Sequence, residues 1–139
     1  MSLSSQDELE ILRLHSQYAQ YTSQKDAVRW STLFTDDAVW ERKEPAKGTK
    51  YNEKVRVQGT DALKKFANEN YAEQGNSQYF SANAIVTGDG TTAEGSVSIL
   101  IIRVENGQPS IVVVGNFEDK YVKTASGWKF KYRGVSLLG

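Results

Sequence analysis

The chain has 139 residues, 17 lysines and arginines against 17 aspartates and glutamates, one histidine and no cysteine. That length suits one domain with a real core, here 1–139, and the balanced charge favours neither nucleic acid nor an anionic membrane. Disulfides, thiolate metal sites and cysteine nucleophiles are excluded, a single histidine argues against a histidine-based metal centre, no apolar run reaches the ~20 residues of a membrane span, and the polar start does not read as a signal peptide. The expectation is a cytoplasmic protein that needs no metal or cofactor.

In chain order, Ser5-Gln6-Asp7-Glu8 has the form of a capping box. It predicts a helix to about Ser23 with Ile11, Leu14, Tyr18 and Tyr21 at helical spacing. His15 lies on it beside Leu12, Ala19 and Thr22, with no neighbour in sequence that would make it a base. Asp26 starts a second helix through Trp30, Leu33 and Phe34, and Ala38–Arg42 reads as a strand with Ala38, Trp40 and Arg42 pointing one way. Glu41 and Arg42 read as surface charges. Lys43–Gln58, with Pro45 and Gly48, reads as a mobile flap or an irregular hairpin over one end of the fold, regaining strand character at Val55-Arg56-Val57. Thr60 can cap a third helix, Asp61–Tyr71, which Gly75-Asn76 breaks.

Four strands follow: Ser77–Val86, Thr92–Val104, Ser110–Lys123 and Gly127–Val135, with turns at Gly88-Asp89-Gly90, Asn106-Gly107 and 124–127. Strict alternation puts Ile111, Val113, Gly115, Phe117, Asp119 and Tyr121 on one face, and sets Trp128, Phe130 and Tyr132 against Lys129, Lys131 and Arg133. Asp119 on an apolar face needs a partner or a task. It is either a general acid/base with a pKa raised by burial, or a carboxylate tied to a backbone amide or a nearby arginine. Helices followed by strands give an α+β fold with a curved antiparallel sheet wrapped on helices. Leu100, Ile102, Val112 and Val114 form an apolar patch on the outer face, from which a homodimer is expected.

Tyr18-Ala19, Asp26, Leu33-Phe34-Thr35-Asp36-Asp37-Ala38, Gly59-Thr60-Asp61-Ala62-Leu63, Asn83, Gly88-Asp89 with Ala93, Gly115-x-Phe117-x-Asp119, Gly127-Trp128 and Arg133 together resemble SnoaL-like domains of the nuclear transport factor 2-like superfamily. The resemblance spans about residues 11–133. It implies a cone: a strongly bent antiparallel sheet, three N-terminal helices closing its open side, and a pocket within. The superfamily includes scytalone dehydratase, polyketide cyclases, ketosteroid isomerase and non-catalytic proteins, so the fold leaves function open. The aspartate of dehydratase-like members falls on Ser23 and their histidine on Tyr79, so the imidazole base those members use is lost here unless His15 replaces it. What the resemblance implies for a site is Asp119, Tyr79 and Tyr18 as catalytic residues, with Ser23, Trp40, Phe117 and Asn83 as ligand contacts. Tyr79 would donate to a carbonyl oxygen, as in an oxyanion hole. The function implied is an enzyme of cyclase, isomerase or dehydratase type on a bulky, mainly apolar compound; the alternative is a non-catalytic small-molecule-binding or scaffold protein.

Overall fold

The computed structural model describes residues 2–139. Helix α1 (Ser5–Ser23) is capped by Ser4, whose Oγ accepts from the Asp7 amide at 3.0 Å. The cap therefore falls one residue before the expected Ser5. Its Ile11, Leu14 and Tyr18 face is buried. Asp26 caps α2 (Ala27–Ser31), accepting from the Arg29 amide. This helix stops short of the expected end, because Leu33 and Phe34 are recruited by the sheet: the Leu33 carbonyl accepts from the Phe130 amide, and Phe34 opens β1 (Phe34–Glu44). A helix this short has little stability of its own, so the sheet's hydrogen bonds win.

Segment 45–54 is the compact loop of an irregular hairpin, the second of the two expected forms, since β1 pairs antiparallel with the strand that follows it. The Ala46 amide donates to Tyr51 O and the Thr49 hydroxyl donates to Ala46 O, with Ala46 fully packed. It leads into β2 (Val55–Gln58). Helix α3 (Thr60–Gln74) is preceded by Gly59 at φ +91°, so the entry is made by a glycine in a conformation L-residues avoid and not by a Thr60 side-chain cap. The meander β3 (Ser77–Gly88), β4 (Thr92–Glu105), β5 (Gln108–Thr124) and β6 (Gly127–Leu137) has the expected turns. Asn106 and Gly107 both take positive φ, the signature of a tight hairpin.

The six strands run β2-β1-β6-β5-β4-β3 in one sheet. The sheet is curved and unclosed, and the fold is α+β as expected. One correction concerns direction: β1 pairs parallel with β6, so the sheet is mixed and not wholly antiparallel. Besides two register shifts where β1 meets β6, three bulges bend the antiparallel meander. In β3 the shift lies between Ala82 and Ile85, where Asn83 takes φ +62°. In β5 the extra residue is Val112, since Ile101 pairs with Val113 but Ile102 with Ile111; the shift sends Ile111 to solvent, against the alternation. In β6, Tyr121 faces Phe130 while Lys120 faces Tyr132, leaving Lys131 as the extra residue.

That third bulge has the largest effect. Side chains on a strand alternate, so one inserted residue exchanges the two faces downstream. Trp128 and Phe130 point inward as expected, but beyond the bulge Arg133 points inward and Tyr132 outward. Arg133 is 1 % exposed, whereas Tyr132 is half-buried with its hydroxyl donating to Glu41 Oε2 at 2.6 Å. The expected outward arginine is thus the most buried cation of the described residues.

Candidate functional site: an aromatic cavity above a buried ion-pair network

Arg133 meets the aspartate left unexplained by alternation. Its Nε donates to Asp119 Oδ1 at 2.8 Å and an Nη to Oδ2 at 3.1 Å, a two-pronged pair in which both side chains are buried. The Tyr121 hydroxyl donates to Oδ2 at 2.9 Å. His15 completes the group: Arg133 donates to its Nδ1 at 3.2 Å, which leaves Nε2–H to donate to the Tyr121 oxygen at 2.8 Å. The guanidinium also lies 3.8–4.4 Å from the ring centres of Phe117, Tyr18 and Phe130. Burial, helped by the nearby guanidinium, lowers the His15 pKa to about 3, so this imidazole is neutral. Burial pushes the Asp119 carboxyl above its usual range, against the opposing pull of Arg133 and Tyr121. Of the two roles open to Asp119, the geometry has the arginine partner: both oxygens are engaged, and Asp119 does not line the cavity described next.

On the other side of Tyr18 and Phe117 lies a cavity of about 80 Å³, lined by residues of α1, β1, α3 and the inner sheet. By the space one buried water needs, it holds roughly half a dozen waters. Tyr18 stands at its centre, with the rings of Trp30, Tyr79 and Phe117 each 5.7 Å away. The Tyr18 oxygen accepts from Trp40 Nε1 at 2.9 Å, and its own hydrogen has no partner among the described residues. The Tyr79 hydroxyl lies near that of Tyr18, and the buried hydroxyls of Tyr71 and Thr22 lie near each other, but neither pair is joined by a well-formed hydrogen bond. Burial holds the Tyr18, Tyr71 and Tyr79 phenols above their ordinary pKa, so they are neutral donors and not bases.

The structure sorts the expected site residues into three groups. Tyr18, Tyr79, Trp40 and Phe117 all line the cavity. Ser23 does not, but it joins the same wall: its hydroxyl donates to Ala19 O and accepts from the Tyr79 amide at 2.9 Å, tying the end of α1 to β3. Asn83, expected as a ligand contact, is exposed at the β3 bulge away from the cavity. Its presence there has a backbone cause, since asparagine tolerates the left-handed conformation the bulge requires.

Among the lining residues not expected, two stand out. Arg42, read as a surface charge, is 6 % exposed; its parity with Ala38 and Trp40 on the strand was the signal. Tyr71 follows Leu63 and Ala67 at intervals of four on α3, a helical stripe that ends at the cavity. Among the described residues no group of three or more histidines, cysteines, aspartates or glutamates could hold a metal ion, and no helix is long and apolar enough to cross a membrane.

A bent sheet closed by helices around an aromatic cavity is the cone of the nuclear transport factor 2-like fold. The chain belongs to the SnoaL-like domain family, whose model matches residues 4–134. Among solved structures it is similar to a Mycobacterium tuberculosis protein of unknown function (20 % identity, TM-score 0.82, 97 % of this chain and 78 % of that one). An NTF2-like protein with a cystatin-like fold from Novosphingobium aromaticivorans is similar as well (21 %, TM-score 0.81, 96 % and 82 %). So is a protein of that organism provisionally assigned as a scytalone dehydratase (20 %, TM-score 0.75, 95 % and 84 %). No curated protein matches the chain. At these identities the likeness establishes the fold.

Proposed function

We propose that this protein binds one compact, mainly apolar organic molecule in the aromatic cavity, holding it by ring contacts and by hydrogen bonds from neutral phenols. The observation that carries the reading is the pairing of an apolar, aromatic wall with hydroxyls that lack well-formed hydrogen bonds. A buried hydroxyl without a well-formed bond is costly, and ligand oxygens would satisfy those of Tyr71 and Thr22 together with the Tyr18 hydrogen. The cavity's size favours a single-ring compound over a bulky one.

A second reading is catalytic, of the cyclase, isomerase or dehydratase type. Tyr18 and Tyr79, with rings 5.7 Å apart, would polarise a carbonyl as an oxyanion hole does. Against it, the cavity wall carries no carboxylate or imidazole to move a proton. Asp119 would act only indirectly, by fixing Arg133 beneath the Tyr18 and Phe117 rings. Thermal-shift and intrinsic tryptophan fluorescence screens with single-ring ketones, phenols and acids test both, because Trp30 and Trp40 line the cavity. Binding of such compounds that Tyr18→Phe with Tyr79→Phe weakens, without turnover, supports the first reading. Turnover that Tyr79→Phe lowers ~100-fold at unchanged affinity supports the second. Failure of every compound to bind would refute both.

A further inference from the structure

The two buried arginines of this fold are in opposite circumstances. Arg133 is paired with its carboxylate; Arg42 has none within ion-pair distance, and the Glu53 carboxylate acts on it only from further away. Arg42 projects inward from β1 into the cavity wall, 6 % exposed, and forms no salt bridge among the described residues. A single hydrogen bond, to the backbone carbonyl of Glu53 at 3.1 Å, uses one of its five N–H donors. The guanidinium is flanked by the rings of Trp40 and Tyr51, centred 5.6 and 5.3 Å away, which orient it without neutralising it. Burying a cation in this way costs free energy unless an anion completes the site. A second observation lies on the same wall: the buried hydroxyls of Thr22 and Tyr71 lie near each other yet form no well-made hydrogen bond.

We propose that the ligand of this cavity is a carboxylate carried on a single aromatic ring or a similarly compact apolar body, with Arg42 as its anion anchor. The inference rests on the small-molecule reading above and narrows it. One arginine matches one negative charge, which favours a carboxylate over a phosphate, and the planar fork of the guanidinium matches the two carboxylate oxygens. The ring would stack among the cavity aromatics while the hydroxyls serve the oxygens the fork leaves free.

The test compares each acid with its own amide, in an inert buffer at pH 7.5 and low salt. Benzoate, phenylacetate and cinnamate are titrated against benzamide, phenylacetamide and cinnamamide by calorimetry and tryptophan fluorescence. In the native protein each acid binds ~10- to 100-fold tighter than its amide, the range expected for hydrogen bonds to a charged partner. Arg42→Gln lowers acid affinity to that of the amide and leaves the amide unchanged. Arg42→Lys keeps part of the preference, because it retains the charge without the fork, and circular dichroism reports whether either variant is folded. Amides that bind the native protein as well as the acids would overturn the role of Arg42 and leave the small-molecule reading standing. Absence of binding by every acid and amide at millimolar concentration would overturn both. The native-protein comparison needs no variant to fold.

Discussion

Replacing Asp119 with asparagine separates a structural from a catalytic carboxylate. In the folded protein its two oxygens receive three donors, two of them from Arg133, and neither side chain reaches solvent. Asp119→Asn keeps the shape and removes the charge, so Arg133 is left as a buried cation facing a neutral amide. Breaking a buried pair in this way costs about 3–5 kcal/mol. With an unfolding entropy of about 2.1 cal/mol/K per residue over 139 residues, 1 kcal/mol corresponds to roughly 3–4 °C. The expected fall in Tm is therefore about 10–17 °C, read by differential scanning calorimetry. Replacing both partners by leucine leaves no lone charge, so the double variant is less destabilised than the sum of its singles by about 2 kcal/mol or more. A shift under about 3 °C for Asp119→Asn would refute the reasoning. If turnover on a ligand vanished with the Tm preserved, Asp119 would have to reach the ligand after all.

Stability should also fall in mild acid because of His15. The unfolded imidazole takes a proton near its ordinary 6.5, whereas burial and Arg133 hold the folded one at about 3. The unfolded chain therefore binds more protons between those values, so the contribution of His15 is complete above about pH 6.5 and is lost as pH drops towards 3. By pH 4.5 that amounts to about 2–3 kcal/mol, visible in urea midpoints; an equal pH slope in a folded His15→Gln variant would exclude His15 as the source. A third expectation is the homodimer. On the outer face the register aligns Phe80 with Leu100 and Leu100 with Val114, and Ile111 stands exposed beside Ile102. Light scattering at micromolar concentration should return twice the 15.5 kDa chain mass. Leu100→Lys with Val114→Lys should return a monomer, while a monomeric native mass would remove the proposal; Val112, at the bulge, packs partly against the core and does not belong to the patch.

Much of the architecture was legible because it depends on period and punctuation. The helical stripe of α1, the Asn106-Gly107 turn and the alternation of Val113, Gly115, Phe117, Asp119 and Tyr121 each have a local cause. The places where reading failed have nonlocal causes. Leu33 and Phe34 continue a helical pattern, but hydrogen bonds from β6, a hundred residues away in sequence, pull them into strand. A bulge inserts one residue at Lys131 with no glycine or proline to mark it, so Arg133 was placed outside. The cavity was partly readable: Tyr18, Trp40, Tyr79 and Phe117 were found through the resemblance. Arg42 reads as a surface charge because it adjoins a polar segment, although its alternation with Ala38 and Trp40 points inward.

The extra residue in β6 also bears on which of two pairings the final hairpin adopts. Apolar content alone distinguishes them poorly. Without the bulge Tyr132 would enter the core in place of Arg133, and a tyrosine is no less at home there. The difference is electrostatic: in that slipped pairing Asp119 would sit buried with no cation, while Arg133 stood in water. The aspartate thus acts as a proofreading device for strand register, accepting only the alignment that brings the arginine beside it.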